Sequence, residues 1–228
     1  MGHLRDMARS VYRTVRPIPS RTLADRDLTG DREIEWSYGA AQTGRYAKSG
    51  DRVMDFGAGS GFLSLAAAGL GCEVLSVDLM PLQFPLAYNH MSFAQADIAE
   101  LEDVGRFDVI MNCSTIEHVG LVGRYDAADQ PDGDIEAMTK MRALLKPAGH
   151  MVLTLPVGID ALVRPLHRIY GAERLPRLVA GFRVLEERFV RKVESNAWFE
   201  VNREDALTEV GNEKYYAIGL MVLQRDDS

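Results

Sequence analysis

Cysteine is scarce: two residues in 228, and Cys72 and Cys113 follow no metal-ligand spacing, so both are expected as buried free thiols. Positive charge is in deficit, with 26 Lys and Arg against 33 Asp and Glu, a net charge of −7. Sequence-independent nucleic-acid binding draws on a cationic face to displace counterions, and this chain has no such excess to supply it. No window approaches the ~18 uninterrupted apolar residues of a spanning helix. The start, Met1-Gly2-His3-Leu4-Arg5-Asp6, lacks the apolar core of a signal peptide. The expectation is a cytoplasmic protein with neither nucleic acid nor membrane as partner. What is present is ordinary: 46% hydrophobic and 26% charged residues, the balance of a soluble globular chain with ample core.

The organisation is an alternation. A helix is expected from Ile34 to Ala47, then a short buried strand at Arg52–Phe56. A helical pattern over 61–70 is followed by strands at Glu73–Asp78, Ser92–Gln95, Phe107–Asn112 and His150–Leu155. Ile135, Met138, Met141, Leu144 and Leu145 recur at helical spacing before the last of these, and Pro147 with Gly149 stops that helix. Strands alternating with helices predict an α/β fold, Rossmann-like and doubly wound. Strand-like runs at Phe182–Val193 and Tyr215–Leu223 predict an antiparallel end to a mostly parallel, seven-stranded sheet. Residues 1–50 read as a helical lead-in or lid, residues 51–228 as the main domain, and 156–181 as an insertion on the substrate side.

The most informative stretch is Asp55-Phe56-Gly57-Ala58-Gly59-Ser60-Gly61, where the first strand meets the first helix. Glycines there allow a sharp turn and a close ligand approach. The dinucleotide fingerprint requires a third glycine at position 62, which is Phe, so a nicotinamide oxidoreductase is disfavoured. Asp55 argues against a phosphate and suits a ligand carrying positive charge, such as an amine or a sulfonium. Asp78 closes the second strand, where a carboxylate grips ribose hydroxyls. Asp97, followed by Ile98, closes the third, where a carboxylate can accept from an adenine amino group.

Together these residues resemble the class I S-adenosylmethionine-dependent methyltransferases over about residues 50–156. The run Leu144-Leu145-Lys146-Pro147-Ala148-Gly149-His150 matches that family's entry into its fifth strand, with Ala148 where a second glycine is frequent. The resemblance implies S-adenosylmethionine as cofactor, held by Asp55, Gly57, Ala58, Gly59, Gly61, Asp78, Leu79, Asp97, Ile98, Cys113 and Ser114. It also places the transferred methyl beside the end of the fourth strand, Asn112-Cys113-Ser114-Thr115-Ile116-Glu117-His118. His118 is the candidate base for a hydroxyl acceptor, since an imidazole exchanges protons near neutrality. Glu117 could orient that ring or bind acceptor hydroxyls. In some relatives of this family the strand end reads E-x-x-E-H and holds a divalent ion. Here Ser114 takes the first position, one anionic ligand is lost, and no metal is expected.

After the fifth strand, His167, Tyr170 and Arg174 are candidates for positioning the acceptor, with His167 as second candidate base. Arg164, Arg168 and Arg177 complete a local basic cluster suited to a small anionic molecule, although Arg168 and Arg177 are expected to serve structure. This run, with Ser114–Leu121 and Asp132-Gly133-Asp134, looks like a poorly characterised methyltransferase-like family that accompanies polysaccharide or glycosylated-metabolite pathways. The implied activity is methylation of oxygen, or of nitrogen, on a small polar metabolite such as a sugar. A non-catalytic S-adenosylmethionine-binding protein and a nucleic-acid methyltransferase are the alternatives, and a homodimer stays open.

Overall fold

The computed structural model describes residues 31–81, 89–121, 129–192, 197–211 and 216–226. Residues 1–30 of the expected lead-in, and the expected strand ends at Val193 and Tyr215, lie outside them. Helix α1 (Asp31–Tyr46) leads into β1 (Arg52–Phe56), α2 (Phe62–Gly69), β2 (Glu73–Asp78) and β3 (Met91–Gln95). After β4 (Phe107–Cys113) come α3 (Gly133–Leu144) and the long β5 (Leu145–Val157). A small hairpin, β6 (Ala161–Val163) and β7 (His167–Ile169), precedes α4 (Arg174–Leu178). The chain finishes with β8 (Phe182–Lys192), β9 (Trp198–Val201), α5 (Arg203–Leu207) and β10 (Ala217–Arg225).

The main sheet runs β3-β2-β1-β4-β5-β10-β8-β9. Its first five members are mutually parallel, and β10, β8 and β9 join antiparallel. The sheet thus has eight strands where seven were expected, and the extra one is β9. The α/β expectation and the antiparallel end agree with what is seen. Strand order reverses between β1 and β4, because β2 lies on one side of β1 and β4 on the other. In open α/β sheets that switch point opens a crevice at the carboxyl ends of the strands.

Why these segments are strands is visible in their burial. Along β1, Met54 and Phe56 face one apolar layer, shared with Met138 and Met141 of α3, while Val53 faces the other, shared with Leu63 and Ala67 of α2. In β4, Ile110 takes the first layer and Val109 and Met111 the second. A parallel strand covered on both faces reads as a continuous apolar run with period two. Cys72 is fully buried, Cys113 only partly, and neither forms a disulfide. Trp198 packs against the second layer, but Phe199 is exposed. Helix α1 packs against this same body. Gln42 donates to Glu186 of β8 at 3.0 Å, and Thr154 of β5 donates to the buried Glu35 at 2.9 Å. Among the described residues no helix is long and apolar enough to cross a membrane.

Candidate functional site

The glycine loop occupies one lip of the switch-point crevice. Gly57, Gly59 and Gly61 all have positive φ, at 71°, 52° and 73°. A Cβ on Gly57 would stand 2.1 Å from Thr115 Oγ1, so only glycine lets the loop lie against the residues that follow β4. Around Gly59 no such obstacle exists, and it is exposed. Gly57 and Ala58 N–H groups donate to Val77 O, which pins the loop to the end of β2. Asp78 then closes the turn: its Oδ2 accepts from Gly59 N at 2.9 Å and its Oδ1 from Met80 N at 2.8 Å. Each carboxylate oxygen keeps a second lone pair, and the residue is only partly buried, so the group can still accept from a diol. Asp97 caps the short turn Ile98–Glu100 by accepting from Ala99 N at 2.9 Å. Leu79 and Met80 leave apolar surface exposed beside Asp78.

Two cofactor candidates sit elsewhere than expected. Asp55 does not line the crevice. It is 2% exposed and accepts from Ser64 Oγ of α2 at 2.5 Å, and that hydroxyl lies 2.7 Å from Ser76 Oγ. Burial pushes its carboxyl up to about 6, against the pull of the Ser64 bond. Ile98 points its side chain into the apolar core, at 3% exposure, so no flat apolar contact to a ligand comes from it. Asp55 lies within β1 and Ile98 in the short turn after β3, and both side chains turn into the interior rather than toward the crevice.

The other lip is the end of β4. Ser114 takes a left-handed φ of 50°, which turns the chain sharply after Cys113. Its Oγ donates to Glu117 Oε1 at 2.6 Å. Glu117 is 1% exposed, and its Oε2 has no hydrogen-bond partner among the described residues. His118 Nδ1 lies 2.6 Å from the carbonyl oxygen of Leu166. A carbonyl only accepts, so Nδ1 carries a proton and the neutral ring presents Nε2 as its basic atom. That Nε2 is 3.6 Å from Glu117 Oε1, close enough for the carboxylate to stabilise an imidazolium. His167 stands beside this ring, with centroids 6.4 Å apart, and on its other side 5.8 Å from Tyr216. No group of three or more His, Cys, Asp or Glu among the described residues is placed to hold a metal ion.

The basic cluster is not a substrate clamp. Tyr170 is fully buried and donates to Asp134 Oδ2 at 3.0 Å; burial first, then the Asp134 charge, pushes its phenol well above the ordinary range. Arg174 bonds the same carboxylate through Nε at 2.9 Å and Nη2 at 2.5 Å. Arg168, 4% exposed, lies against Asp134 at 3.7 Å. Arg177 pairs with Asp132 at 3.2 Å and Arg164 with Asp129 at 3.3 Å. Every one of these cations is answered by an acid or a carbonyl of the segment 129–134 or its neighbours. Tyr170 and Arg174, expected to position the acceptor, instead hold the 156–181 insertion to that segment.

The structure also brings in residues that the sequence reading did not single out. Thr115 is the steric partner of Gly57, and its adjacency to the motif was the available signal. Glu35 reaches the end of β5 from a helix 119 residues away in sequence, and Leu166 serves through its carbonyl alone. Neither carries a local pattern.

A family model described as "Caenorhabditis protein of unknown function, DUF268" matches residues 62–223. The chain belongs to the DUF268 family, and its fold is that of the class I S-adenosylmethionine-dependent methyltransferases. The chain is 34% identical over 111 residues to a ubiquinone biosynthesis O-methyltransferase of Cereibacter sphaeroides. That match covers 45% of this chain and 40% of the relative, so the chain spans well under two thirds of that protein's length. It is 30% identical over 176 residues to the protein of the same name from Xanthomonas oryzae pv. oryzae, covering 73% of this chain and 67% of that one. In fold it resembles the 1,6-didemethyltoxoflavin-N1-methyltransferase of Burkholderia thailandensis, a structure with bound 1,6-didemethyltoxoflavin and S-adenosylhomocysteine. The TM-score is 0.58, at 21% identity, covering 86% of this chain and 80% of the other.

Proposed function

We propose that this protein binds S-adenosylmethionine in the crevice between β1 and β4 and transfers its methyl group to an oxygen, or a nitrogen, of a small polar molecule. One observation carries the reading: the glycine loop lies flush against Thr115 at the strand switch, with the Asp78 carboxylate latched across it at Gly59. The names of the relatives from Cereibacter sphaeroides and Xanthomonas oryzae, both O-methyltransferases, support it. The residues present fit the cofactor. A glycine cradle leaves room over Gly59, Asp78 offers lone pairs to a ribose diol, and Asp97 with Leu79 and Met80 flanks the place of the base.

When bound, the cofactor supplies a sulfonium-activated methyl. The chain's own residues do the rest. Glu117 and His118 form the wall of the crevice where an acceptor hydroxyl would lie. His118 Nε2 takes the hydroxyl proton as the oxygen attacks, while Leu166 O holds the opposite nitrogen and the Glu117 carboxylate stabilises the resulting imidazolium. Because the arginines beside the site are already neutralised, the acceptor in this reading is an uncharged hydroxyl compound or an amine, of the sugar class, rather than a phosphate or carboxylate. The net charge of −7 supports a small molecule over nucleic acid.

Asp78→Ala is the variant that tests the cofactor arm. A charge-assisted hydrogen bond contributes about 1.5–3 kcal/mol, so its affinity for S-adenosylhomocysteine, measured by calorimetry, is expected to fall about 10- to 100-fold. An unchanged dissociation constant would remove the ribose from this strand end.

A further inference from the structure

Burying a guanidinium costs several kcal/mol, and an apolar side chain of similar volume packs such a place as well or better. Arg168 is therefore informative, because it is buried far from any position where charge is needed for solubility. Its Nη1 donates to the carbonyl oxygen of Val119, the residue after His118. Its Nη2 donates to Gln130 O at 3.1 Å and reaches Pro131 O at 3.4 Å. Asp134, itself 0% exposed, supplies the counter-charge. The backbone is drawn together around this fork. Gly120 has φ 72°, accepts from Gln130 N at 3.0 Å, and leaves no room for a Cβ, which would meet Gln130 O at 2.4 Å. Two residues before Arg168, on the approach to β7, Leu166 presents the carbonyl that receives His118 Nδ1.

The geometry points to Arg168 as the positioning residue for His118. One end of the imidazole hangs from Leu166 O, and its own backbone is tied at Val119 O. Arg168 joins those two segments: its main chain continues the first, its side chain grips the second. This inference rests on the reading of His118 as the acceptor-side base, and it assigns Arg168 and Asp134 the task of keeping Nδ1 protonated and Nε2 turned to the crevice. Free histidine prefers the opposite tautomer, so the bond to Leu166 must be held for the base to be competent.

The test is the side-chain 15N spectrum of His118 in the neutral ring, assigned with a His118→Ala control, in the full chain. Wild type is expected to show a protonated Nδ1 and a bare Nε2. Arg168→Met, which keeps volume and removes the fork, is expected to give a mixture of tautomers. Its turnover falls up to about 10²-fold, the cost of a small misplacement, while S-adenosylhomocysteine affinity changes less than about threefold, under ~0.7 kcal/mol. Should that variant not fold, Arg168→Lys decides in its place, because it keeps the charge opposite Asp134 but cannot span the carbonyls. A folded variant with the wild-type tautomer overturns the proposal. The spectrum also separates the two readings: a wild type without methyl transfer but with the protonated Nδ1 leaves the clamp standing. A wild type that turns over with the ordinary tautomer removes the clamp alone.

Discussion

His118→Ala is expected to lower methyl-transfer turnover on a hydroxyl acceptor by about 10²–10⁴-fold, the usual worth of general-base assistance, while cofactor affinity stays near wild type. The argument is one of position and bonding. His118 follows the turn beyond β4, and with its Nδ1 donating to Leu166 O the neutral ring carries its basic lone pair on Nε2. Asp78 and the glycine loop, which would carry the cofactor, are held by bonds to Gly59, Met80 and Val77 in which His118 takes no part. The deficit should also shrink as pH rises, because a larger share of the acceptor is ionised without help. A pH–rate comparison of wild type and variant reads both effects. Near-normal turnover of the variant at neutral pH would mean an amine acceptor that needs no base, or a proton path through His167.

The second large effect is on stability. In the unfolded chain Asp55 releases its proton near pH 4, the ordinary carboxyl value, and in the folded chain near 6, because burial disfavours the anion. Between those values the folded state holds more protons than the unfolded one, so this residue's contribution to stability falls as pH rises. Well below pH 4 the group is neutral in both states and costs nothing. Above about pH 7 the cost is complete and constant. It amounts to about 3 kcal/mol, since each tenfold change in a proton's binding constant is worth ~1.4 kcal/mol. Asp55→Asn keeps an acceptor for Ser64 Oγ and removes the charge. The difference in unfolding free energy, variant minus wild type, should therefore climb by about 3 kcal/mol from about pH 3 to about pH 7 and level off. Parallel curves for the two proteins across that window would contradict the account of Asp55.

Much of the architecture was legible because its physics is local. Strands β1, β2, β4 and β5 are buried on both faces and announce themselves as apolar runs, and the glycines mark where the chain must turn. Strand β9 was legible only in part: Trp198 and Phe199 read as a strand-like run expected to pack, but the strand is four residues long with Phe199 and Glu200 exposed, so burial leaves little imprint on it. The β6–β7 hairpin, three residues to a strand, leaves less. The site divides the same way. Asp78 and Gly57 act through neighbours fixed by the loop itself. The arginines do not: Arg174 meets its acid, Asp134, from 40 residues away, so it looked like a contact for the acceptor when it belongs to an internal clasp, in which Arg168 serves structure as expected. Asp55 misled for a related reason. Its place beside the end of β1 suggested the crevice, but the side chain turns into the interior, where Ser64 of α2 and, through it, Ser76 of β2 meet it.

The central claim, an S-adenosylmethionine site at the β1–β4 switch, is tested most directly by calorimetric titration of the full chain with S-adenosylhomocysteine and, separately, with NADH. The account predicts saturable one-to-one binding of S-adenosylhomocysteine and no measurable binding of NADH, since Phe62 stands where a pyrophosphate-binding loop needs its third glycine. Binding of NADH with no heat from S-adenosylhomocysteine would contradict it.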